Sequence, residues 1–349
     1  MRVGLLELEQ SFKSYSSTGP SFYGYPYYLY NYMKDNNIGM NIDKIGIKRN
    51  NQLGKGFSVL FGTMIKNFRE YDIVHNLDMN PFFPIRDKKT VVTTAHDFQF
   101  VLRPELNTDV THSFRDRVWL NIITKLGLKS LLRSDYLIAV STLTKDDAIF
   151  LGYPKDKIFV INHGLRKEFR RKKMQQKSNG SFVVGYIGAI RTRKNPQMLF
   201  DTFRMLKDNN IRLNIWGKLG YERDKWISYS SKDHRITFLG FAPENKLVDL
   251  YDSFDAFFFP SFYEGFGIPI IEAQARGLPV IIYKHAKIPA EVRKYCIEAK
   301  SAEHAAQLIS TLKENGYNET LKRRSIDYAK KFTLEKTAKK TLEVYSSIL

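Results

Sequence analysis

The sequence predicts an α/β protein made of two doubly wound domains in succession. Three observations carry this. Apolar runs of strand length alternate with amphipathic stretches of helix length, the pattern of parallel β-α-β units with buried strands. The 349 residues exceed what one ordinary core accommodates. The alternation is also interrupted by a charged, aperiodic segment, RKEFRRKKMQQKSNGS at 166–181, and then starts again.

The elements of the first half follow in order. RVGLLEL reads as a strand, followed by the aromatic-rich YGYPYYLYNYMKD. YDIVHNL, TVVTTAHDF and DYLIAVS are strands that each end in polar residues, and FRDRVWLNIITKLGLKSLLRS between the last two is a helix. KIFVINHGL is a strand running into a turn. In the second half FVVGYIGAI enters a turn, and NPQMLFDTFRMLKDN is a helix with Asn195 as cap and Pro196 at its first position. IRLNIWGK, ITFLGF, AFFFPS and PVIIY are strands, PENKLVDLYDSF is a helix, and TLEKTAKKTLEVYSSIL is a long amphipathic helix. The expected boundaries are a first Rossmann-like domain at 1–167, a solvated linker at 168–181, a second Rossmann-like domain at 182–327, and a terminal helix at 328–349 that packs back toward the first domain.

Composition narrows the classes. A hydrophobic content of 43% excludes a disordered chain. The 55 Lys and Arg against 36 Asp and Glu leave a net charge of +19, which suits an anionic partner: nucleic acid, an acidic membrane surface or a phosphorylated small molecule. It equally suits a soluble basic protein. A single cysteine, Cys296, provides neither a disulfide framework nor a Cys-based zinc site within one chain and fits a reducing compartment. No stretch reaches the ~20 uninterrupted apolar residues of a spanning helix. The apolar part of MRVGLLELEQ is too short for a signal peptide, so membrane contact is expected to be peripheral.

Open parallel sheets bind ligands beyond the carboxyl ends of their strands. There this chain places His96, Asp97, Ser141, His163 and Gly164 in one half, and Arg191, Arg193, Lys194, Gly217, Lys218 and Glu264 in the other. The densest stretch is FFFPSFYEGFGIPIIEAQARGLPVI at 257–281. A buried strand ends at Pro260, a loop carries Glu264, and Pro269 fits the first turn of a helix with Glu272 about one turn inside. Gly265 and Gly267 allow close backbone approach, and the free N–H groups of the helix start form an anion site. A carboxylate accepts hydrogen bonds from hydroxyls and repels phosphate. Each Glu is therefore expected to face a polyol, with the helix start facing phosphates between them.

PSFYEGFGIPIIEAQARGLPVI resembles the signature of the family-4 glycosyltransferases, in which seven residues separate the two Glu. GYIGAIRTRKNPQML, LNIWGK, ITFLGFAPENKLVDLY and FTLEKTAKKTLEVY also resemble the family, as do YDIVHNL, TTAHDF, IAVSTLTKDD and INHGL in the first half. The likeness covers almost the whole chain and is strongest from Val183 to Ile282. It implies the GT-B fold, two Rossmann-like domains facing a central cleft, and a retaining transfer of a hexose from a nucleotide sugar. By this resemblance Glu264 binds donor-sugar hydroxyls and is catalytic, as is His96 beside the reacting carbon. Glu272 binds the ribose. Gly265, Phe266 and Gly267 contact the sugar, and Gly267 and Ile268 contact the diphosphate. Lys194 matches the diphosphate-binding lysine. Gly188-Ala189-Ile190 departs from the family's Gly-Arg-Leu, so Arg193 supplies the missing charge, with Arg191 as competitor. Gly24 matches the glycine that opens a helix near the diphosphate, although the usual glycine pair is absent. Tyr25 and Tyr27 are acceptor contacts or helix packing. Asp97 orients its loop, and His163 belongs to the cleft wall.

The chain contains no Asp-Xaa-Asp pair. Together with Arg193 and Lys194 this implies charge stabilisation of the leaving diphosphate without a required metal or cofactor. Retention is expected by same-face substitution. By the same resemblance the RKN and EGFG stretches favour GDP-mannose as the expected donor, with UDP-glucose second, and a glycan or polyprenyl-linked glycan is the expected acceptor. The protein is expected in the cytoplasm, peripheral on the inner face of an anionic membrane through Arg115, Arg117, Trp119, Lys125 and Lys129, with Lys55, Phe57 and Lys66. The alternatives are a GT-B-like epimerase or phosphorylase, and a non-catalytic basic nucleic-acid-binding protein. The two-Glu signature argues against an epimerase. A phosphorylase lacks support because no Lys lies in a pyridoxal-type context, and no recognition module for nucleic acid is present.

Overall fold

The computed structural model describes residues 1–8, 24–36, 39–48, 60, 62–63, 66–79, 89–107, 114–170, 180–220 and 222–349, and the structural statements below concern these. The chain forms two compact units. The first comprises Met1–Pro104, Thr111–Gly164 and Leu334–Leu349; the second comprises Glu105–Val110 and Leu165–Thr333.

The first unit contains β1 (Arg2–Leu8), α1 (Gly24–Asp35), β2 (Asn41–Ile47), β3 (Ile73–Asn76), β4 (Thr90–Ala95), α2 (Gln99–Leu102), α3 (Phe114–Leu131), β5 (Tyr136–Ala139), α4 (Thr142–Phe150) and β6 (Ile158–Val160). Its sheet runs β2-β1-β3-β4-β5-β6, all parallel, with Val3 opposite Ile73 and Val74 opposite Val91. Ser141 starts α4 by accepting from the Thr144 N–H. β2 is not evident in the sequence because NIDKIGI interleaves Asp43 and Lys44, as suits an edge strand half open to water.

The second unit contains β7 (Phe182–Ile187), α5 (Pro196–Met205), β8 (Ile211–Trp216), α6 (Arg223–Ser231), β9 (Ile236–Phe238), α7 (Leu247–Asp252), β10 (Ala256–Phe259), α8 (Ile268–Ala275), β11 (Val280–Tyr283), α9 (Ala290–Arg293), β12 (Ile297–Ala299), α10 (Ala302–Asn315) and α11 (Glu319–Ala329). The strand order is β12-β11-β10-β7-β8-β9, again parallel. From β7 the chain winds outward to β8 and β9, then returns to β10 and winds the other way. The order therefore reverses between β7 and β10, where an open sheet leaves a crevice.

The linker expectation is corrected at its start. Phe169 is fully buried, and its carbonyl accepts from Arg276 Nη1 at 3.1 Å. Arg276 also grips Asp252 with two bonds of 2.7 and 2.8 Å. Residues 165–170 thus belong to the second unit because an aromatic side chain and a buried ion pair anchor them. Residues 171–179 of the expected linker lie outside the described residues.

The terminal helix, α12 (Leu334–Ser347), starts six positions later than the sequence boundary of 328. It belongs to the first unit and packs on α1. Ala338, Val344 and Tyr345 share a core with Val3, Leu29, Met33 and Ile138.

Candidate active site

In the second unit the loops leaving β7 and β10 lie side by side because their strands are neighbours. The β7 loop is pressed against the end of β8: a Cβ on Gly217 would lie 1.8 Å from the Gly188 carbonyl oxygen, so only glycine permits this approach. The Ile190 N–H then donates to the Lys218 carbonyl at 2.9 Å. A single 3-10 turn, Thr192–Lys194, carries the basic residues, and Asn195, at φ 52°, caps α5 by accepting from the Met198 N–H. The β10 loop is held on both sides. The Phe262 N–H donates to the Arg193 carbonyl, and the Glu264 N–H donates to the Lys287 carbonyl, both at 2.9 Å.

This framework focuses three groups on one carboxylate. Lys194 Nζ lies 2.5 Å from Glu264 Oε1, and the Ser261 hydroxyl donates to the same oxygen. Arg193 Nη1 donates to Glu264 Oε2 at 3.2 Å and to the Tyr263 carbonyl at 3.0 Å. Burial opposes ionisation of Glu264, but Lys194, Arg193 and the hydrogen bonds outweigh it and hold the carboxyl below its usual range. Arg191 is exposed, so the geometry brings Arg193 rather than Arg191 to this cluster.

Beyond Glu264, Gly265 and Phe266 are buried, and Gly267 adopts φ 92° as the residue before α8. Ile268 and Pro269 open the helix. Glu272 lies on its buried side and accepts from the Tyr251 hydroxyl of α7 at 2.8 Å. Burial pushes its carboxyl up to about 7, against the opposing pull of Arg166 and Tyr251. Arg166 also pairs with Glu244 at 3.4 Å. One buried carboxylate is therefore charged and heavily partnered, while the other titrates near neutrality.

In the first unit His96 follows β4 and is buried. Its Nε2 lies 2.8 Å from the Leu77 carbonyl oxygen and its Nδ1 lies 3.2 Å from His163 Nε2. Tyr25 is buried edge-on to both rings, which identifies it as packing; Tyr27 is partly exposed. Asp97 accepts from the Gln99 N–H, turning the loop. Gly24 is the first residue of α1, and the loop before it lies outside the described residues. His75 bridges Thr94 at 2.7 Å and Tyr345 of α12 at 2.5 Å.

Ser261, Tyr251, Arg166 and the His96–His163 contact were not identified by sequence reasoning as site features. Ser261 had a local signal, since it stands three residues before Glu264; the other partners come from distant segments. On α3, Arg117, Val118, Trp119, Ile122, Lys125 and Lys129 are exposed, as is Lys66 elsewhere in the unit. The Arg115 side chain, Lys55 and Phe57 lie outside the described residues. Among the described residues no helix is long and apolar enough to cross a membrane.

The model of the family described as Glycosyl transferases group 1 matches residues 167–332, and that of Glycosyltransferase Family 4 matches residues 29–169. The chain is 27% identical over 301 residues to O-antigen chain mannosyltransferase B of Escherichia coli, covering 80% of this chain and 75% of that protein. It is 30% identical over 210 residues to O-antigen chain mannosyltransferase RfbU of Salmonella typhimurium, covering 56% of each. Among solved structures it resembles a sucrose-phosphate synthase from Thermosynechococcus elongatus, with a TM-score of 0.78 at 15% identity over 100% of this chain and 99% of the other. Anabaena HepE, solved with UDP and glucose, superposes with a TM-score of 0.69 at 17% identity over 99% and 100% of the two chains.

Proposed function

The chain belongs to the family-4 glycosyltransferases, and we propose that it transfers mannose from GDP-mannose, with retention, to a hydroxyl of a glycan or polyprenyl-linked glycan. The observation that carries this reading is the buried Glu264 carboxylate held by Lys194 and Arg193 at the sheet reversal, next to the start of α8. A leaving nucleoside diphosphate gains negative charge in the transition state, and two cations held in place there stabilise it without reorganisation. Glu264 accepts from donor-sugar hydroxyls, Gly265, Phe266 and Gly267 line the sugar, and Gly267 and Ile268 offer backbone N–H groups to the diphosphate. Glu272 accepts from the ribose. Gly24 serves the diphosphate and His96 serves the donor sugar. The departing phosphate takes the acceptor proton in a same-face substitution that requires no metal.

Mannose is preferred because two relatives are named mannosyltransferases. UDP-glucose is the second donor, favoured by the ligands of HepE. The test is a panel of nucleotide sugars read by thermal shift and by donor turnover with and without EDTA. The expected result is the largest stabilisation and turnover with GDP-mannose, unchanged by EDTA, and an α-linked product by NMR. Turnover only with UDP-glucose would overturn the donor assignment, and a β-linked product would overturn retention.

We further propose that the protein works at the cytoplasmic face of an anionic membrane. The exposed side of α3 supports this, alternating Val118, Trp119 and Ile122 with Arg117, Lys125 and Lys129. Salt-sensitive flotation with acidic but not neutral vesicles is expected; equal recovery on both would overturn it.

A further inference from the structure

His96 and His163 come from strand ends 67 residues apart, yet their rings stack with centroids 5.2 Å apart and planes within 9°. Both are buried. The Leu77 carbonyl can only accept a hydrogen bond, so the proton of His96 is on Nε2. In a neutral imidazole Nδ1 then carries the lone pair, and the facing His163 Nε2 must carry a proton to donate. Burial first, and the neighbouring His96 second, hold His163 well below the usual imidazole range, so it is neutral. Tyr25 closes the edges of both rings, with centroids 5.3 and 5.0 Å away, and its hydroxyl is tied to Thr94 and Thr341.

We propose that His163 is a positioning residue for His96: its Nε2–H holds His96 Nδ1 while the Leu77 carbonyl holds Nε2–H. Both ring nitrogens of His96 are then engaged. The residue acts in transfer as a fixed, neutral wall rather than as a proton carrier. The proposal rests on the reading of His96 as a donor-site residue and gives that residue a defined tautomer and orientation.

The test has a structural arm and a kinetic arm. Long-range proton–nitrogen NMR on protein with ring-labelled histidine should show neutral Nε2–H tautomers for both His96 and His163. An Nδ1–H tautomer or an imidazolium at His96 at neutral pH would overturn the proposal, whatever the activity. His163→Leu removes the donor. It should mix the His96 tautomers and lower kcat by about 10- to 100-fold, with a much smaller change in donor KM, as expected for a displaced reacting-site group. His163→Gln places an amide N–H near the lost Nε2–H and should restore both the His96 signal and most of kcat. Full activity in His163→Leu beside an inactive His96→Ala would overturn positioning while sparing the donor-site reading. Full activity in His96→Ala would overturn that reading, and with it the catalytic use of the pair. If His163→Leu fails to fold, His163→Gln and the wild-type tautomers still decide.

Discussion

Each unit buries a cluster of polar groups, and the two clusters differ in kind. In the first unit the cluster of His75, Thr94, Tyr25, His96 and His163 is made of imidazoles and hydroxyls, and burial keeps His163 uncharged. Burial, then the neighbouring His96, drives His75 down to about 3, so it too is uncharged. In the second unit the groups are ionic, with Glu264 between two cations and Asp252 locked to Arg276. A buried charge is tolerated only where counter-charges and hydrogen bonds replace water. Glu264 meets that condition with three partners, whereas a histidine avoids it by releasing its proton.

The largest expected effect strikes the ionic side. Glu264→Ala should reduce transfer by about a thousandfold or more while a nucleoside diphosphate still binds, because the two cations remain. Isothermal titration beside a turnover assay measures both, and equal turnover would remove Glu264 from the site. Next, Lys194→Ala should lower kcat by roughly a hundredfold and also weaken diphosphate binding. Arg193→Ala should do the same, and Arg191→Ala should do neither; an inert Arg193→Ala beside a damaged Arg191→Ala would reverse their assignment.

Glu272 gives a pH test. Its folded pKa of about 7 lies above the ordinary 4.5, so the folded protein holds the proton more tightly than the unfolded chain. Its contribution to stability is therefore complete below about 4.5 and is lost as pH rises toward about 7. Glu272→Gln should remove that slope, giving a higher Tm than wild type above neutrality and a similar Tm in acid. The ionised form is the better ribose acceptor, so donor affinity in wild type should rise with pH through the same window. A flat Tm difference across this range would contradict the assignment. The smallest effect belongs to the neutral side: Tyr345→Phe removes one hydrogen-bond partner of His75 and should cost about 1–2 kcal/mol of stability in denaturant unfolding, with little change in kcat.

Much of this was legible in the sequence. Runs such as FVVGYI and AFFF are too apolar to be other than buried strands, and the Gly-Pro frame of 265–269 marks a loop entering a helix. Two of the four edge strands, β2 and β12, escaped because charges interrupt them, Asp43 and Lys44 in one and Glu298 in the other. The sequence argument placed Glu264 at the sugar and the cations at the phosphate. It had no means to see them bonded, since Lys194 and Glu264 are 70 residues apart and meet only because β7 pairs with β10. His96 and His163 were each named from the sequence, but their contact escaped for the same reason. Long-range strand order decides which side chains meet, and local pattern does not encode it.

The return of α12 to the first unit has a consequence for biogenesis. Tyr345 and Thr341 complete a core begun by Val3 and Leu5, yet the whole of the second unit is translated between them. On the ribosome this core stays without its α12 side chains until the second unit, residues 165–333, has been made. The second unit, nearly contiguous in sequence, can close first. A nascent chain halted before residue 334 therefore leaves its first-made half as the unfinished one.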